Sequence, residues 1–223
     1  MASFPIVPSK TAMLFFDVLN IYMHSEDLEK HGEGGKRGVI FREHVEALAA
    51  SGIVGRMQKM HRACRDAGIA IVHAQGDHRA DGKDFWPHVV DDQPWYRGES
   101  PRQTERPALT SGSWGAEIIP ELPVEPADYI IKKHRISAFF QTHLELSLRT
   151  AGINTILLSG GVVETGIASM AYSARDHDYS LVILRDACFA LRPEVHTVFM
   201  DKVFPFFTRV MTVDQAIAQI QRT

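Results

Sequence analysis

Apolar runs of strand length recur at wide intervals along the chain. Most are continuously hydrophobic rather than alternating, as is typical of strands that are covered on both faces in a parallel sheet. Segments with helical periodicity separate them. The pattern predicts six strands, at 11–18, 69–76, 128–133, 155–161, 180–187 and 209–216.

The clearest helical segments are 42–68, 139–152 and 164–178. Gly68 and Gly152 stand just past helix ends, where a left-handed residue is favoured. Because strands and helices alternate, we predict an α/β fold with a doubly wound sheet. The expected sheet has six parallel strands in the order 3-2-1-4-5-6, with helices on both faces.

The composition is that of an ordinary globular protein, with 223 residues, 45% hydrophobic and 23% charged. We predict a single domain over 1–223, with a division into two domains near residue 110 as the alternative. The net charge of −3 and the pI near 6.4 give no reason to expect nucleic acid or an anionic membrane as a partner. Two cysteines suit a reducing compartment, and the first apolar run is too short for a signal peptide or a membrane span. We therefore expect a cytoplasmic protein.

The segment 77–127 has no clear periodicity and is long for a structureless connection. Long loops in compact domains are usually lids or binding loops. This one carries all three tryptophans, and aromatic walls suit a small ligand, so Trp86 and Trp95 are candidate substrate contacts. The alternative is that these aromatic residues pack the loop onto the body or form a subunit interface.

Polar residues follow the apolar strands at the edge where parallel sheets bind ligands. Asp17 and Asn20 follow the first strand, Gln75 ends the second, and Lys133 ends the third. Taken alone, a strand-end aspartate more often caps a turn and a strand-end lysine is more often solvated. If the two meet in a buried place, they become candidates for proton transfer.

The stretch "SGGVVETGIASMAY" (159–172) follows the fourth strand and indicates a tight turn into a helix, where α/β enzymes usually hold a nucleophile. Its candidates are Thr165 and Ser169, but the most exposed position of the turn is Gly166. The stretch does not match the serine-nucleophile, phosphate-loop or dinucleotide-binding patterns, so we expect no nucleotide cofactor. His73 and His78 have no third ligand nearby in sequence, so we expect no metal site.

Taken together, these features resemble the isochorismatase-like hydrolases of the cysteine-hydrolase superfamily. The resemblance covers nearly the whole chain. It is most specific over 115–161, where "KHRISAF" (133–139) matches the family pattern of a lysine, any residue, an arginine, any residue, then Ser-Ala-Phe, and it extends through 179–190 and 210–217.

The resemblance implies roles for three positions. Asp17 matches the catalytic acid/base, Lys133 its partner, and Gly166 the position that usually holds the nucleophilic cysteine. It also implies a cis or strained peptide within 161–164, with backbone N–H groups near Thr165 and Gly166 facing the pocket. The residues expected to contact substrate are Asn20, Gln75, Arg135, Val163, Glu164, Thr165, Trp86 and Trp95.

Without the cysteine, the thioester route of the amidase members is closed. Isochorismatases likewise carry glycine at this position and protonate a vinyl ether, but they place a histidine where this chain has Glu164, and glutamine is common where it has Leu19. The first reading is vinyl-ether-type hydrolysis with Asp17 as general acid. The alternatives are a thiol-independent amide or imide hydrolase, and a catalytically silent binding or assembly protein. We expect a small-molecule substrate, no cofactor, and a homo-oligomer, as a dimer or tetramer.

Overall fold

The structure, a computed structural model, describes residues 5–24, 30–31, 47–84 and 109–220. Its centre is one six-stranded sheet in which every strand pairing is parallel. The strand order is β3-β2-β1-β4-β5-β6, which confirms the order expected from the sequence. The strands are β1 (Thr11–Phe16), β2 (Ala70–Gly76), β3 (Tyr129–Lys133), β4 (Thr155–Gly161), β5 (Ser180–Phe189) and β6 (Arg209–Met211).

Helices connect the strands and are shorter than the periodic segments suggested. The predicted 42–68 helix is interrupted at Gly52, whose φ of 71° is outside the helical region; residues 47–51 and 53–66 on either side are helical. Residues 42–46 lie outside the described part of the chain. Gly68 and Gly152 have the positive φ values expected beyond helix ends. The helices are α1 (Asn20–Met23), α2 (Ile53–Asp66), α3 (Leu144–Thr150), α4 (Ala168–Asp176), α5 (Pro193–Val198) and α6 (Val213–Ile220).

The sixth strand is three residues long, so the prediction of a strand over 209–216 is wrong beyond Met211. Thr212 and Gln215 cap a helix there. The Gln215 side chain accepts a hydrogen bond from the Thr212 amide at 2.8 Å, and the Thr212 hydroxyl accepts one from the Gln215 amide at 3.2 Å. This reciprocal pair is a capping box, and it starts α6 directly after β6.

Two apolar cores lie on opposite faces of the sheet, as expected for a parallel sheet that is covered on both faces. Successive side chains of β1 alternate between them. Phe16 belongs to the core that includes residues of α3 and α4, whereas Phe15 belongs to the core that includes residues of α2 and α6. Within the described residues, no helix is both long and apolar enough to cross a bilayer.

Candidate active site

Asp17 and Lys133 meet at the carboxyl edge of the sheet, just after β1 and at the end of β3. The Lys133 ammonium donates a hydrogen bond to Asp17 Oδ2 at 2.8 Å, and the Gly76 amide donates to Asp17 Oδ1 at 3.1 Å. Asp17 is 6% exposed and Lys133 is 5% exposed. The pairing of Asp17 with Lys133, which the family resemblance implies, is confirmed.

Burial is the largest influence on the pKa of Asp17. It raises the pKa of the carboxyl above the ordinary value, while the charge and hydrogen bond of Lys133 and the Gly76 amide act in the opposite direction. A raised pKa favours the protonated carboxyl, which is the form that a general acid needs.

The backbone at Asp17 is also unusual. Its φ is 49°, in the left-handed region that few residues other than glycine adopt, although aspartate tolerates it better than most. The Asp17 amide donates to the Ala74 carbonyl at 2.8 Å, which ties this conformation to β2. Such conformations cluster at functional sites, because the surroundings must hold them in place.

Gly166 lies in the turn after β4, but no open space surrounds it. A Cβ atom at Gly166 would collide with Cε1 of Phe16, and would lie 2.9 Å from Cδ1 of the same ring and 3.1 Å from the Gly161 carbonyl oxygen. Glycine at this position therefore does not leave room for a thiol. The Phe16 ring, 1% exposed, fills the space.

The turn itself is a π-helical segment, Val163–Ile167, that leads into α4. The Gly161–Val162 peptide bond is cis, within the stretch where a cis or strained bond was expected. The Thr165 and Ile167 amides both donate to the Val162 carbonyl, at 3.2 and 3.1 Å. The Thr165 amide is therefore used inside the turn, contrary to the expectation that it faces a ligand.

Glu164 and Val163 differ in what they can offer a ligand. Glu164 Oε1 accepts a hydrogen bond from the Leu191 amide at 3.1 Å, while its Oε2 is buried without a hydrogen-bond partner. The Val163 side chain is fully buried in the core, and its expected contact with substrate remains a prediction. The buried Glu164 oxygen can accept a hydrogen bond from a bound molecule.

Asn20, Gln75 and Arg135 all make contacts with backbone carbonyls. Asn20 Nδ2 donates to Trp114 at 2.9 Å while its Oδ1 is buried without a hydrogen-bond partner, and Gln75 Nε2 donates to Ala116 at 3.3 Å. Arg135 is exposed, and its Nη1 donates to Asp84 and His134. Their roles in substrate binding remain predictions, and Trp86 and Trp95 lie outside the described residues.

Both cysteines are buried, free and in poor positions for nucleophilic attack. Burial raises the pKa of Cys64 to about 12. Burial also raises the pKa of Cys188 far above its ordinary value, and its thiol contacts the Leu158 carbonyl at 3.7 Å. Thiols with such pKa values carry almost no thiolate at neutral pH.

Comparison with known proteins identifies the family to which this fold and site belong. A family model described as the isochorismatase domain matches residues 38–215. The chain belongs to the isochorismatase family. Members of this family and its amidohydrolase relatives are hydrolases.

Three individual proteins illustrate the likeness. A ureidoacrylate amidohydrolase, RutB, of Rhizobium rhizogenes (strain K84 / ATCC BAA-868) is 27% identical over 96% of this chain and 85% of its own. A crystal structure of a cysteine hydrolase from Pseudomonas syringae pv. phaseolicola 1448A superposes with a TM-score of 0.76 at 22% identity, covering 99% of this chain and 96% of that one. The N-carbamoylsarcosine amidase of Thermoplasma acidophilum gives a TM-score of 0.66 at 23% identity, covering 92% and 97%. The two structural likenesses show a shared fold.

Sequence reasoning missed two features of this isochorismatase-family site. The first is Phe16, whose signal was an aromatic residue directly before Asp17, on a strand that pairs with the Gly160–Gly161 end of β4. The second is the group His78, Asp84 and His134, whose ligand-type atoms all lie within 4.8 Å of one another. The interpretation that His78 has no further ligand-type residues nearby is therefore wrong, since Asp84 follows it by six residues and the fold brings His134 to it from the end of β3.

The donors of that group are a poor match for a cation. The Asp84 carboxylate already accepts hydrogen bonds from the Arg79 amide at 3.0 and 3.1 Å, and it lies 3.3 Å from His134 Nδ1. Burial, and then the positive charges of Lys133, His134 and Arg135, lower the pKa of His78 to about 4, against the opposing effect of Asp84. A site already surrounded by positive charge disfavours a further cation.

Proposed function

We propose that the protein hydrolyses a small molecule by proton transfer from Asp17, without a covalent bond to an enzyme thiol. The observation that carries this proposal is the buried Asp17–Lys133 pair beside a turn in which Phe16 fills the side-chain space at Gly166. The two cysteines support it, because both are buried and burial raises the pKa of their thiols, so that they stay protonated at neutral pH. With no enzyme thiol available, water is the nucleophile.

Asp17 and Lys133 have different roles in the proton transfer. Burial raises the pKa of Asp17, so its carboxyl takes up a proton more readily than an exposed aspartate would, and it can donate that proton to a substrate. Once the proton has left, the Lys133 ammonium 2.8 Å away stabilises the carboxylate that remains. In surroundings largely closed to water, this interaction is stronger than it would be in solution.

The reaction that best suits a general acid without a nucleophile is hydrolysis of a vinyl ether. Asp17 would donate its proton to the enol-ether carbon, which gives an oxocarbenium ion. A water molecule then adds to the carbon that bears the oxygen, and Asp17 recovers a proton from that water. The resulting hemiketal collapses to a ketone and an alcohol, so the sequence consumes one water and leaves the enzyme unchanged.

Hydrolysis of a carbon–nitrogen bond is the second candidate, and two observations favour it. RutB of Rhizobium rhizogenes, named as a ureidoacrylate amidohydrolase, is related over nearly the whole chain. In addition, Asn20 Oδ1 and Glu164 Oε2 are buried acceptors without partners, which suits the N–H groups of a carboxamide or ureido substrate. In this reaction Glu164 or Asp17 would act as general base toward water.

A turnover panel separates these candidates. The purified protein is incubated with enol-ether carboxylic acids, ureido acids and primary amides, and product formation is followed by mass spectrometry. We expect cleavage of the enol ethers at a rate that falls as pH rises through the pKa of Asp17, and loss of cleavage in Asp17→Asn. Asp77→Asn is the matched control, because Asp77 pairs with the half-exposed Lys132 at the same edge.

Cleavage of amides alone would replace the first candidate by the second. A protein that cleaves none of the three classes, yet gains thermal stability from one of them, would be the catalytically silent binding protein. That result would overturn the proposed function.

A further inference from the structure

Phe16 and Gly166 compete for the same volume at the carboxyl edge of the sheet. The ring of Phe16 stands where the first side-chain carbon of residue 166 would be, so any residue larger than glycine at 166 needs that ring to move. The ring has little freedom to do so, because it is buried in the core between β1 and α4.

The backbone of Phe16 is also closely packed, against Gly160 of β4. A Cβ atom at Gly160 would collide with the Phe16 carbonyl oxygen, and Gly160 has a φ of 114°. Only glycine suits both the conformation and the contact. The end of β1 is therefore fixed against the end of β4, which leaves Phe16 little room to withdraw.

The same ring also contacts Lys133 of the proposed catalytic pair. The Lys133 ammonium lies 4.6 Å from the Phe16 ring centroid, within cation–π range, while it donates to Asp17 at 2.8 Å. An ammonium between a carboxylate and an aromatic face is held from two sides. Attraction of this kind is strongest where water is largely excluded, as it is around these residues.

We propose that Phe16 is a positioning residue that fills the nucleophile position and holds the Lys133 ammonium against Asp17. Phe16 and Gly166 then act as a coupled pair that commits this chain to chemistry without an enzyme thiol. The inference rests on the proposed function for its catalytic meaning, but both of its physical consequences can be measured without a substrate.

The first consequence is energetic coupling between the two positions. Gly166→Cys alone should destabilise the protein through the clash, and Phe16→Val alone through the cavity it leaves. In the double variant the new thiol enters the space that the ring vacated. Its melting temperature should lie about 2–10 °C above the value expected from adding the two single effects.

Phe15→Val provides the matched control for this cycle. Phe15 is the neighbouring residue on β1 and is equally buried, but its side chain lies in the opposite core. Combined with Gly166→Cys, it should give additive shifts. Additive shifts with Phe16→Val, or the same non-additivity with both phenylalanines, would overturn the shared-volume claim.

The second consequence concerns Asp17 and does not depend on whether Gly166→Cys folds. In Phe16→Leu the apolar volume is largely kept, but the aromatic face that holds Lys133 is lost. The ammonium then stabilises the Asp17 carboxylate less, so the pKa of Asp17 should rise further, by about one unit. A titration followed by carbon-13 NMR of the Asp17 carboxyl measures this, with Phe15→Leu expected to leave the pKa unchanged.

An unchanged pKa of Asp17 in Phe16→Leu would overturn the positioning role. The melting temperatures and the pKa of Asp17 are measured without substrate, whereas the proposed function is tested by substrate turnover. A protein that cleaves none of the candidate substrates, but shows the coupling and the rise in the pKa, would retain the role of Phe16 and refute the hydrolase mechanism. Cleavage of enol ethers without the coupling or the rise in pKa would support the hydrolase mechanism and refute the role of Phe16.

Discussion

The Lys133 ammonium lies 2.8 Å from the Asp17 carboxylate, and both side chains are almost completely shielded from solvent. Next to them, Lys132 makes a 3.1 Å ion pair with Asp77, with 54% of the Lys132 side chain exposed. Two consecutive lysines of β3 therefore form the same kind of pair in opposite environments. This contrast allows the effect of burial to be measured within one protein.

Lys133→Ala should abolish activity while the protein stays folded, because Asp17 loses the charge that stabilises its carboxylate. Above neutral pH the unpaired buried carboxylate should lower the free energy of unfolding by about 3–5 kcal/mol. The loss should shrink as pH falls, since the raised pKa of Asp17 lets the folded variant take up a proton before the unfolded chain does. Urea unfolding between pH 5 and 8 measures it.

Lys132→Ala is the control and should cost at most about 1 kcal/mol, as exposed ion pairs do. Equal losses for the two variants would contradict the distinction between a buried and an exposed pair. Loss of the fold in Lys133→Ala would make Lys133 a structural residue.

The sequence was sufficient to predict the parallel sheet and the meeting of Asp17 with Lys133. Continuous apolar runs occur because both faces of β1 and β4 are covered, and parallel strands bring their carboxyl ends to one edge. Both residues end such strands, so their proximity follows from topology. No side-chain geometry was needed for that step.

The occupied space beside Gly166 could not be predicted in the same way. It depends on the direction of one ring, that of Phe16, and on the close approach of β1 to Gly160, and both are packing details that strand patterns do not specify. The short β6 is a different kind of omission, because the Thr212–Gln215 capping box was readable in the sequence. Of the two neighbours of His78, Asp84 is close in sequence, whereas His134 lies just past β3 and could be placed only from the fold.

Thiol-alkylating reagents should leave the protein and its activity unchanged. Because burial raises the pKa of Cys64 to about 12 and that of Cys188 further, native protein should react with iodoacetamide at least about tenfold more slowly than free cysteine. Mass spectrometry after timed quenching measures the rate, and unfolding in urea should expose both thiols to labelling. Loss of activity on alkylation of Cys188 would identify a nucleophile on β5 instead.

Added zinc should not stabilise the protein, and a chelator should not destabilise it. Asp84 is already engaged by the Arg79 amide, and Lys133 and Arg135 place positive charge near His78. A site that bound zinc would stabilise the fold by about 2.7 kcal/mol at a hundredfold excess over its dissociation constant, which a thermal-shift measurement detects. A zinc-dependent rise in melting temperature that His78→Ala removes would contradict this expectation.

Buried histidines between β1, β2 and α2 should make the fold sensitive to mild acid. His73 stacks on Phe15 with 5.6 Å between ring centroids, its ring lies 6.4 Å from that of His61, and Nε2 of each histidine is buried without a hydrogen-bond partner. Burial lowers the pKa of His73 to about 4, with His61 and Arg65 acting in the same direction and Asp128 opposing it. At neutral pH His73 is therefore uncharged.

The sign of the pH effect follows from these pKa values. The unfolded chain binds a proton at His73 near pH 6.5, whereas the folded protein does so only near pH 4. Stability should therefore decrease as pH falls through this interval, by about 3 kcal/mol for this residue. His73→Gln should flatten the decline in urea unfolding measured from pH 7 to pH 4, while the exposed control His143→Gln should leave it intact. An unchanged slope in His73→Gln would mean that other groups govern the acid response.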